Sequence, residues 1–412
     1  MTNQSNPPEY PQLHADLVIK DYRLAYKSRQ VSIIGRREVL TGKAKFGIFG
    51  DGKEIVQLAM AHYFQRGDWR SGYYRDQTWL FSLGMLSLQE FFAQLYAHAD
   101  VKAEPATAGR AMNSHFASRF INPDGSWKNQ TEMFNIAADI SPTGSQMPRL
   151  VGLAHASRLY RELPELHGYQ EFSNEGSEIA WGTIGNASTA EGMFWESVNA
   201  IGVLKAPAII TIYDDGYGIS VPNQFQMVKE NISDILTGFQ RKPCPTDSCD
   251  HGFDLYTVHA WDYPALMSIY KTASNNARLH HIPALIHATE ATQPQGHSTS
   301  GSHERYKSPE RLAWEDEYDG LRKMREWIIE IGYSTDSQLN VWESEDQKLV
   351  ENERNIAWEA FTAPMLDERD KAVKLLGKIA ADSELKTQIT NIQQELVNLP
   401  QVIRKNIHVA LH

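Results

Sequence analysis

The sequence predicts an α/β fold in which helices flank a parallel sheet and a helical tail follows at the C-terminus. Two observations support this fold class. Short apolar runs alternate with helical patterns, as in proteins built from strand–helix–strand units. The run AIITIY at Ala208–Tyr213 lacks charged residues, as strands of parallel sheets do when both of their faces are buried.

The elements can be placed in chain order. Residues 1–20 are polar and contain prolines, which predicts a loosely held N-terminal tail. Apolar residues at helical spacing predict helices between Asp21 and about Tyr96 and again at Met147–Arg161. The predicted elements that follow are strands at Ile179–Ile184, Ala208–Tyr213, Phe253–Val258 and Ala284–Ala288, a helix at Tyr263–Leu279, and an amphipathic helical tail or linker over residues 366–412.

Charge and hydropathy exclude several functional classes. The net charge is −11 and no basic stripe offsets it, which argues against nucleic acid as the main partner. No segment approaches the roughly 20 apolar residues of a membrane-spanning helix, and the N-terminus lacks a signal-peptide pattern. The two cysteines, Cys244 and Cys249, suit a reducing compartment. We therefore expect a cytoplasmic enzyme with no membrane partner.

The most informative segment is Gly182–Ser220. A turn of small residues precedes a helical pattern, and Gly185, Ala187 and Ser188 keep bulk away from the start of that helix. Free backbone N–H groups and the helix dipole make such a position favourable for an anion. The sequence therefore predicts an anion-binding turn here.

Oxygen ligands accompany this turn. Asn186 lies within it, and Asp214 and Asp215 follow the predicted strand Ala208–Tyr213. Carboxylate and amide oxygens are the ligands that a hard cation such as Mg²⁺ prefers. An anion and a hard cation held side by side indicate a diphosphate cofactor. An ordinary strand–turn–helix of a Rossmann-like protein is the alternative.

This segment resembles the α subunit of the E1 components of 2-oxo acid dehydrogenases, a family that binds thiamine diphosphate. The similarity rests on ST-A-EG-x-F-x-E-x-x-N-x-x-G-x-L-x-x-P followed by DDGYGIS, and it extends over residues 21–365 as one diphosphate- and metal-binding domain. It implies a thiamine diphosphate-binding fold, with Mg²⁺ held by Asn186, Asp215 and Tyr217. The family's acidic ligand is an asparagine here and an aspartate replaces its asparagine, so the formal charge of the ligand set is unchanged.

Further cofactor contacts follow from the same resemblance. In GDWRSGYYRD, residues 67–76, the family's Tyr-Arg pair contacts the diphosphate, which implies this role for Tyr74 and Arg75. The alternative is a surface arginine that pairs with Asp76. The implied cofactor-binding residues are Tyr74, Arg75, Ser141, Thr143, Gly185, Asn186, Ala187, Ser188, Tyr213 and His297.

The segment SPTGSQ, residues 141–146, resembles the family's contact to the aminopyrimidine ring of the cofactor. In branched-chain relatives its hydroxyls and carbonyls hold a potassium ion, so K⁺ is a further expected ion near Ser141 and Thr143. The alternative is a helix N-cap, because serine and threonine favour that position in any protein.

Two histidines are implied as catalytic residues. GRAMNSHF resembles the branched-chain members, which places His115 near the reacting end of the cofactor. GHSTS resembles the loop that closes over the cofactor, which implies that His297 positions the diphosphate and takes part in catalysis. Relatives carry an arginine just before this loop, where Gln293, Pro294 and Gln295 stand here, and we expect Arg305 or Lys307 to compensate.

The resemblance implies thiamine diphosphate-dependent oxidative decarboxylation of a 2-oxo acid, with transfer of the acyl group to lipoamide on an E2 component. The motifs GRAMNSHF, GYGIS and GHSTSGS favour a branched-chain substrate such as 2-oxoisovalerate, the substrate of a 3-methyl-2-oxobutanoate dehydrogenase. One alternative is a pyruvate or acetoin dehydrogenase α subunit. Another is a catalytically silent structural subunit, which the exchange at Asn186 and Asp215 motivates.

Partners are implied in the same way. In the family, the glutamate that activates the cofactor belongs to the β half, and no β-like segment is recognised in this sequence. We therefore expect an E1β-like subunit, or a C-terminal β half of a longer chain, as the partner. The expected assembly is an α2β2 hetero-oligomer or a dimer of a fused chain, working with a lipoyl-bearing E2.

Overall fold

The computed structural model describes residues 13–242 and 251–412. Most of the predicted N-terminal tail and both cysteines, Cys244 and Cys249, lie outside the described residues. The chain divides into two compact units, Met1–Val350 and Glu351–His412. Each unit contains buried apolar clusters of its own.

The helices and strands of the described residues have the following bounds. The helices are α1 (Ala15–Leu40), α2 (Glu54–Ala61), α3 (Gln77–Ser82), α4 (Leu88–Leu95), α5 (Gln146–Glu162), α6 (Gly192–Leu204), α7 (Ile232–Leu236), α8 (Tyr263–His280), α9 (Pro309–Glu317), α10 (Gly320–Glu330), α11 (Asp336–Ala381), α12 (Lys386–Val397) and α13 (Arg404–Leu411). The strands are β1 (Trp69–Ser71), β2 (Asn135–Ile136), β3 (Ala180–Gly185), β4 (Ala208–Tyr213), β5 (Tyr217–Gly218), β6 (Val221–Pro222), β7 (Asp254–His259) and β8 (Ala284–Thr289).

The predicted parallel sheet is confirmed. Six strands of the described chain lie in the order β2-β1-β3-β4-β8-β7, and every neighbouring pair is parallel. The central strands β3 and β4 pair from Ala180 opposite Ala208 to Gly185 opposite Tyr213. Every residue of β4 is buried, as its apolar run predicts. The strands β5 and β6 form a separate antiparallel hairpin.

Helices pack against both faces of the sheet, because successive residues of a strand point to opposite sides. Ile210 and Ile212 of β4 belong to one buried cluster, together with Leu150 of α5 and Phe194 of α6. Ile209 belongs to a second cluster, which includes residues of α1, α2, α8 and α10. This layered packing fixes the positions at which the strands end.

The structure differs from the sequence-based prediction in three places. The helix α1 begins at Ala15, so residues 15–20 are helical although the sequence predicts a polar tail there. The strands β1 and β2 have no clear sequence signal, because they contain three and two residues and β1 includes the charged Arg70. The helix α11 continues past residue 365, where the sequence predicts a boundary, and Pro364 lies inside it.

The unit Glu351–His412 is helical, as the amphipathic spacing of residues 366–412 predicts. It contains α12, α13 and the C-terminal part of α11. Its apolar core consists of Ala372, Leu376, Leu396, Val402 and Ile407. Within the part of the chain that the structure describes, no helix is long and apolar enough to cross a membrane.

Four neighbouring strands end at one edge of the sheet. The loops after β1, β3, β4 and β8 begin at Gly72, Asn186, Asp214 and Glu290. Ligands of open parallel sheets bind beyond the carboxyl ends of the strands. The fold therefore places the candidate site at this edge.

Candidate functional site

A cavity of about 400 Å³ lies at the carboxyl edge of the sheet. The loops after β1, β3, β4 and β8 form most of its wall. Lys53 just before α2, Thr143 just before α5, and the segment before α9 also contribute. The residues that line the cavity and were predicted from the sequence are Tyr74, Arg75, Thr143, Gly185, Asn186, Ala187, Ser188, Tyr213, Asp215, Tyr217 and His297. The fold thus brings together residues separated by more than 200 positions, while their individual roles remain predictions.

Small residues allow two loops of the wall to approach each other. The turn after β3 is a short 3₁₀ segment, in which the Thr189 hydroxyl donates to Asn186 O at 2.6 Å. A Cβ atom at Gly218 would lie 2.6 Å from Ala187 Cβ, which is closer than real Cβ atoms approach. Glycine at position 218 therefore lets the β5–β6 hairpin pack against the predicted anion-binding turn.

Arg75 provides a buried positive charge in the cavity wall. The residue is 4% exposed, and its guanidinium donates from Nη1 to Phe49 O at 2.6 Å and from Nη2 to His297 O at 3.1 Å. Among the described residues, no carboxylate lies within ion-pair distance of this guanidinium. Burial of a charge is unfavourable unless an opposite charge accompanies it. Arg75 therefore points to an anionic ligand in the cavity.

Asp76 pairs with Arg70, which excludes the alternative in which Arg75 is a surface arginine held by Asp76. The Asp76 carboxylate accepts from Arg70 Nη2 at 2.7 Å and from the Thr183 hydroxyl at 2.6 Å. It also accepts from the Tyr213 hydroxyl at 3.3 Å. This buried network lies directly behind the cavity and connects the ends of β1, β3 and β4.

Lys53 contacts the predicted metal ligand Asp215. Its ammonium lies 3.2 Å from Asp215 Oδ2 and donates at 2.6 Å to Thr292 O and at 2.6 Å to Gln293 Oε1. The other oxygen of the carboxylate, Oδ1, accepts from Tyr217 N at 3.1 Å. Burial raises the pKa of Asp215, but Lys53 and Arg75 outweigh this effect and hold the pKa below its usual value. Asp215 is therefore ionised and already paired.

Asn186 is oriented by a chain of polar side chains. Its amide nitrogen donates to Asn223 Oδ1 at 2.6 Å, and Asn223 Nδ2 donates to Asp214 Oδ1 at 3.1 Å. Asp214 Oδ2 in turn lies 2.9 Å from His287 Nε2, which is part of β8. The side-chain oxygen of Asn186 accepts no hydrogen bond from the described residues, so it can accept one from a ligand.

His297 lines the cavity as a neutral imidazole. Burial, with a smaller contribution from the positive charge of Arg75, lowers the pKa of His297 to about 4. The loop that carries it is tied down, because Arg36 Nη1 donates to Gln295 O at 2.8 Å and to Ser298 O at 3.0 Å. Thr299 N donates to Gly47 O at 3.0 Å. The histidine is thus held against the cavity wall by contacts on both sides.

We expect His297 to remain neutral over the range in which enzymes are normally assayed. Because the folded pKa lies near 4, below the ordinary 6.5, the folded chain binds fewer protons at this residue than the unfolded chain. The stability that this residue contributes is fully present above its ordinary pKa of 6.5. It is lost as the pH falls through the folded pKa of about 4. An NMR titration should show no change of the His297 ring signals between about pH 6 and 8. A midpoint near the ordinary value would contradict this prediction.

Thr143 and Ser188 connect two of the predicted segments. The hydroxyl groups of these residues form a short hydrogen bond with each other, and Thr143 Oγ1 also donates to Glu191 Oε1 at 3.5 Å. A Cβ atom at Gly144 would lie 2.2 Å from Glu191 Oε2, so the glutamate packs directly against the Gly144 backbone. These contacts place the loop before α5 beside the turn after β3.

Two predicted residues do not line the cavity. His115 Nε2 lies 3.1 Å from Ser141 Oγ, and His115 Nδ1 lies 3.3 Å from Asn113 O. Ser141 is on an exposed stretch two positions before Thr143, which does reach the cavity. The loop at 141–146 thus reaches the cavity through Thr143, whereas Ser141 contacts His115. The roles given to His115 and Ser141 remain predictions.

Several lining residues were missed by sequence reasoning: Lys53, Tyr73, Glu191, Gly218, Ile219, Gln226, Gln293 and Tyr306. Glu191 and Gly218 lie inside the recognised motifs, so their positions in the sequence could have indicated that they line the cavity. Lys307, one of two residues expected to compensate for the missing arginine, is in the wall, but Glu315 neutralises it at 2.7 and 2.8 Å. Arg305 does not line the cavity.

Comparison with known proteins agrees with this geometry. A family model described as dehydrogenase E1 component matches residues 22–365. The 2-oxoisovalerate dehydrogenase subunit alpha of Bacillus subtilis is 28% identical over 297 residues, which are 72% of this chain and 77% of the relative. The mitochondrial 2-oxoisovalerate dehydrogenase subunit alpha of Mus musculus is 24% identical over 84% of this chain and 68% of the relative.

A relative named for a different substrate, pyruvate, has a similar sequence identity to this chain. The pyruvate dehydrogenase E1 component subunit alpha of Acholeplasma laidlawii is 25% identical over 83% of this chain and 82% of the relative. The matched family segment contains every strand of the sheet and every residue that lines the cavity. The chain therefore belongs to the family of dehydrogenase E1 components.

Proposed function

We propose that this chain is the α component of a branched-chain 2-oxo acid dehydrogenase E1, which decarboxylates 2-oxo acids such as 2-oxoisovalerate. The family is thiamine diphosphate-dependent. The observation that carries the proposal is the buried guanidinium of Arg75, which faces the cavity of the matched segment without a carboxylate partner among the described residues. A diphosphate group would supply the negatively charged partner that the Arg75 guanidinium lacks.

The residues of the cavity fit the cofactor. Arg75 offers a planar guanidinium, which matches phosphate oxygens in a bidentate arrangement. Gly185, Ala187 and Ser188 form a turn without large side chains, and Ser188 adds a hydroxyl group. Tyr74 is in contact with Tyr73, at 4.8 Å between the ring centroids, and borders the same space. The wall is therefore polar and positive where the diphosphate is expected.

When bound, thiamine diphosphate supplies the nucleophilic carbon and the electron sink that loss of CO₂ from a 2-oxo acid requires. The chain contributes binding, orientation and proton control. Arg75 and the turn after β3 hold the anionic end of the ligand, while the neutral ring of His297 can accept a proton on one nitrogen and donate one from the other. The anchored loop around His297 keeps that ring at the cavity wall.

The substrate class is proposed from similarity and sequence motifs. Two of the relatives reported above are named for 2-oxoisovalerate, and the motifs GRAMNSHF and GHSTSGS favour the same class. The relative from Acholeplasma laidlawii, named for pyruvate, keeps pyruvate as the second candidate. Transfer of the acyl group to lipoamide on E2, and the need for an E1β-like subunit or β half, are parts of the same proposal.

The substrate proposal is tested by comparing 2-oxo acids in one assay. The chain and its β-like half, supplied with thiamine diphosphate, should release CO₂ from 2-oxoisovalerate with a kcat/KM at least about tenfold above that for pyruvate. A discrimination of this size is what a pocket matched to a branched side chain normally provides. A preference for pyruvate would move the assignment to the pyruvate enzymes and leave the family unchanged.

The metal part of the sequence-based expectation does not fit the residues as they stand. Asp215 is the only carboxylate among the expected ligands Asn186, Asp215 and Tyr217, and Lys53 already neutralises it. The potassium ion expected near Ser141 and Thr143 remains a prediction.

A further inference from the structure

The cavity contains a cation of its own at the position where a divalent ion is expected. Mg²⁺ is normally held by one or two carboxylates, together with phosphate oxygens and water in near-octahedral geometry. Both carboxylate oxygens of Asp215 are engaged, Oδ2 by Lys53 at 3.2 Å and Oδ1 by Tyr217 N at 3.1 Å. A divalent ion bound to Asp215 Oδ2 would lie next to the ammonium of a lysine that is 2% exposed, and the two positive charges would repel each other.

The hydrogen bonds of Lys53 identify it as a charged ammonium. Its Nζ atom has three oxygen neighbours, on Asp215, Thr292 and Gln293, at 3.2, 2.6 and 2.6 Å. Only a protonated lysine has three N–H donors for three acceptors. Two of these acceptors are uncharged, so Asp215 is the one carboxylate among the three. Arg75 makes no direct contact with it and donates only to backbone oxygens.

The fold positions Lys53 through the backbone before it. Gly52 has φ +81°, and a Cβ atom there would lie 2.0 Å from Thr292 O. A glycine at this position therefore lets the loop before α2 pack directly against the segment after β8. Lys53 N is also held by Gly50 O at 3.2 Å. The ammonium is thus placed in the wall by close packing rather than by a flexible side chain at the surface.

Two cations, Lys53 and Arg75, face the same cavity, and of the two only Lys53 contacts a carboxylate. Arg75 is close enough to Lys53 to lower the pKa of the lysine further, after burial and against the opposing effect of Asp215. The third cation of the wall, Lys307, pairs with Glu315 at 2.7 and 2.8 Å, and Glu315 also pairs with Arg311 at 2.9 Å. Asp215 is in ion-pair contact with Lys53, and the buried Asp51, which makes no such contact, acts on both cations from a longer distance. The anionic end of a ligand would supply the close partner that Arg75 lacks.

Given the proposed function, on which this inference rests, we propose that the ammonium of Lys53 takes the place of the divalent cation in binding the diphosphate. Lys53 and Arg75 together neutralise the anionic end of the cofactor. Asp215 acts as the positioning residue that holds Lys53, rather than as a metal ligand. Binding of thiamine diphosphate to this chain then has no requirement for Mg²⁺.

The decisive experiment measures thiamine diphosphate binding by calorimetry to the chain together with its β-like half. The titration is carried out once with excess EDTA and once with millimolar Mg²⁺. The dissociation constants in the two buffers should agree within about threefold, because the protein supplies the charge itself. Binding with Mg²⁺ that is abolished by EDTA overturns the inference and leaves the proposed function intact. Absence of binding in both buffers overturns both.

A pair of variants tests Lys53 directly in the EDTA buffer. Lys53→Met should weaken binding by at least about tenfold, since a charge-assisted hydrogen bond is lost. Lys45→Met is the control, because Lys45 is an exposed lysine outside the cavity wall, and its dissociation constant should stay within about twofold of the original. Addition of Mg²⁺ should improve binding only for Lys53→Met, in which Asp215 has become available. If Lys53→Met binds as tightly as the original chain in EDTA, the inference is wrong.

Discussion

Replacement of Arg75 by methionine is expected to weaken binding of thiamine diphosphate by at least about 100-fold. The guanidinium is buried, is oriented by Phe49 O and His297 O, and has no carboxylate partner among the described residues. Two charge-assisted hydrogen bonds to a diphosphate, at roughly 1.5–3 kcal/mol each, account for a loss of this size. Methionine keeps a similar length and removes the charge and all five donors.

The Arg75 prediction has two controls. Arg75→Lys should fall between the original chain and Arg75→Met, because an ammonium keeps the charge but loses the planar fork. Arg119→Met is the matched control, since Arg119 is exposed and also donates only to a backbone oxygen, Pro105 O, at 3.3 and 3.1 Å. Binding constants are measured by calorimetry after circular dichroism has confirmed that each variant is folded. An unchanged affinity in Arg75→Met would remove this residue from the diphosphate site.

Replacement of Asp76 by alanine is expected to lower the free energy of unfolding by about 3–5 kcal/mol. Arg70 and Asp76 both have side chains with 0% exposure, and they lie 2.7 Å apart. Removal of the carboxylate leaves Arg70 with Asp139, at 3.0 Å, as its remaining charged partner, and it leaves the Thr183 hydroxyl without its acceptor. Since Tyr213 also donates to Asp76, the loss reaches the cavity wall as well.

The stability prediction is measured by denaturant unfolding of the isolated chain. Asp316→Ala is the matched control, because Asp316 pairs with Arg322 at 2.9 Å but its side chain is 83% exposed. Exposed ion pairs contribute about 1 kcal/mol or less, so this variant should unfold almost as the original chain does. Equal stability losses in the two aspartate variants would show that the buried network behind the cavity contributes no more than a surface pair.

The elements that could be predicted from the sequence are those whose structure is determined by the residue pattern of one short segment. Ala208–Tyr213 is a strand in the sequence and in the structure because its apolar run is buried on both faces. Helix α8 begins at Tyr263 as predicted, and the Asp262 side chain accepts from Ala265 N at its start. The strand β2 has only two residues, and its existence depends on pairing with β1, which no local pattern reveals.

The predicted site residues likewise lie in local sequence motifs, whereas a missed residue such as Lys53 reaches the site through a long-range contact. Arg75 and Ser188 lie in segments that resemble the family, and both line the cavity as this resemblance implies. Lys53 stands 162 positions from Asp215, at the start of an ordinary helical pattern, and only the packing of Gly52 against Thr292 brings the two charges together. A residue that acts through a long-range contact between loops has no signal in its own neighbourhood.

We propose that this chain is the diphosphate-binding half of a 2-oxo acid dehydrogenase E1 and that a β half completes the enzyme. The most direct measurement is CO₂ release from 2-oxoisovalerate, with thiamine diphosphate present, by the chain alone and by the chain with increasing amounts of its β-like half. We expect no turnover from the chain alone and turnover that rises to a plateau at one β half per chain. Turnover by the chain alone would contradict the account, because the activating carboxylate would then belong to this chain.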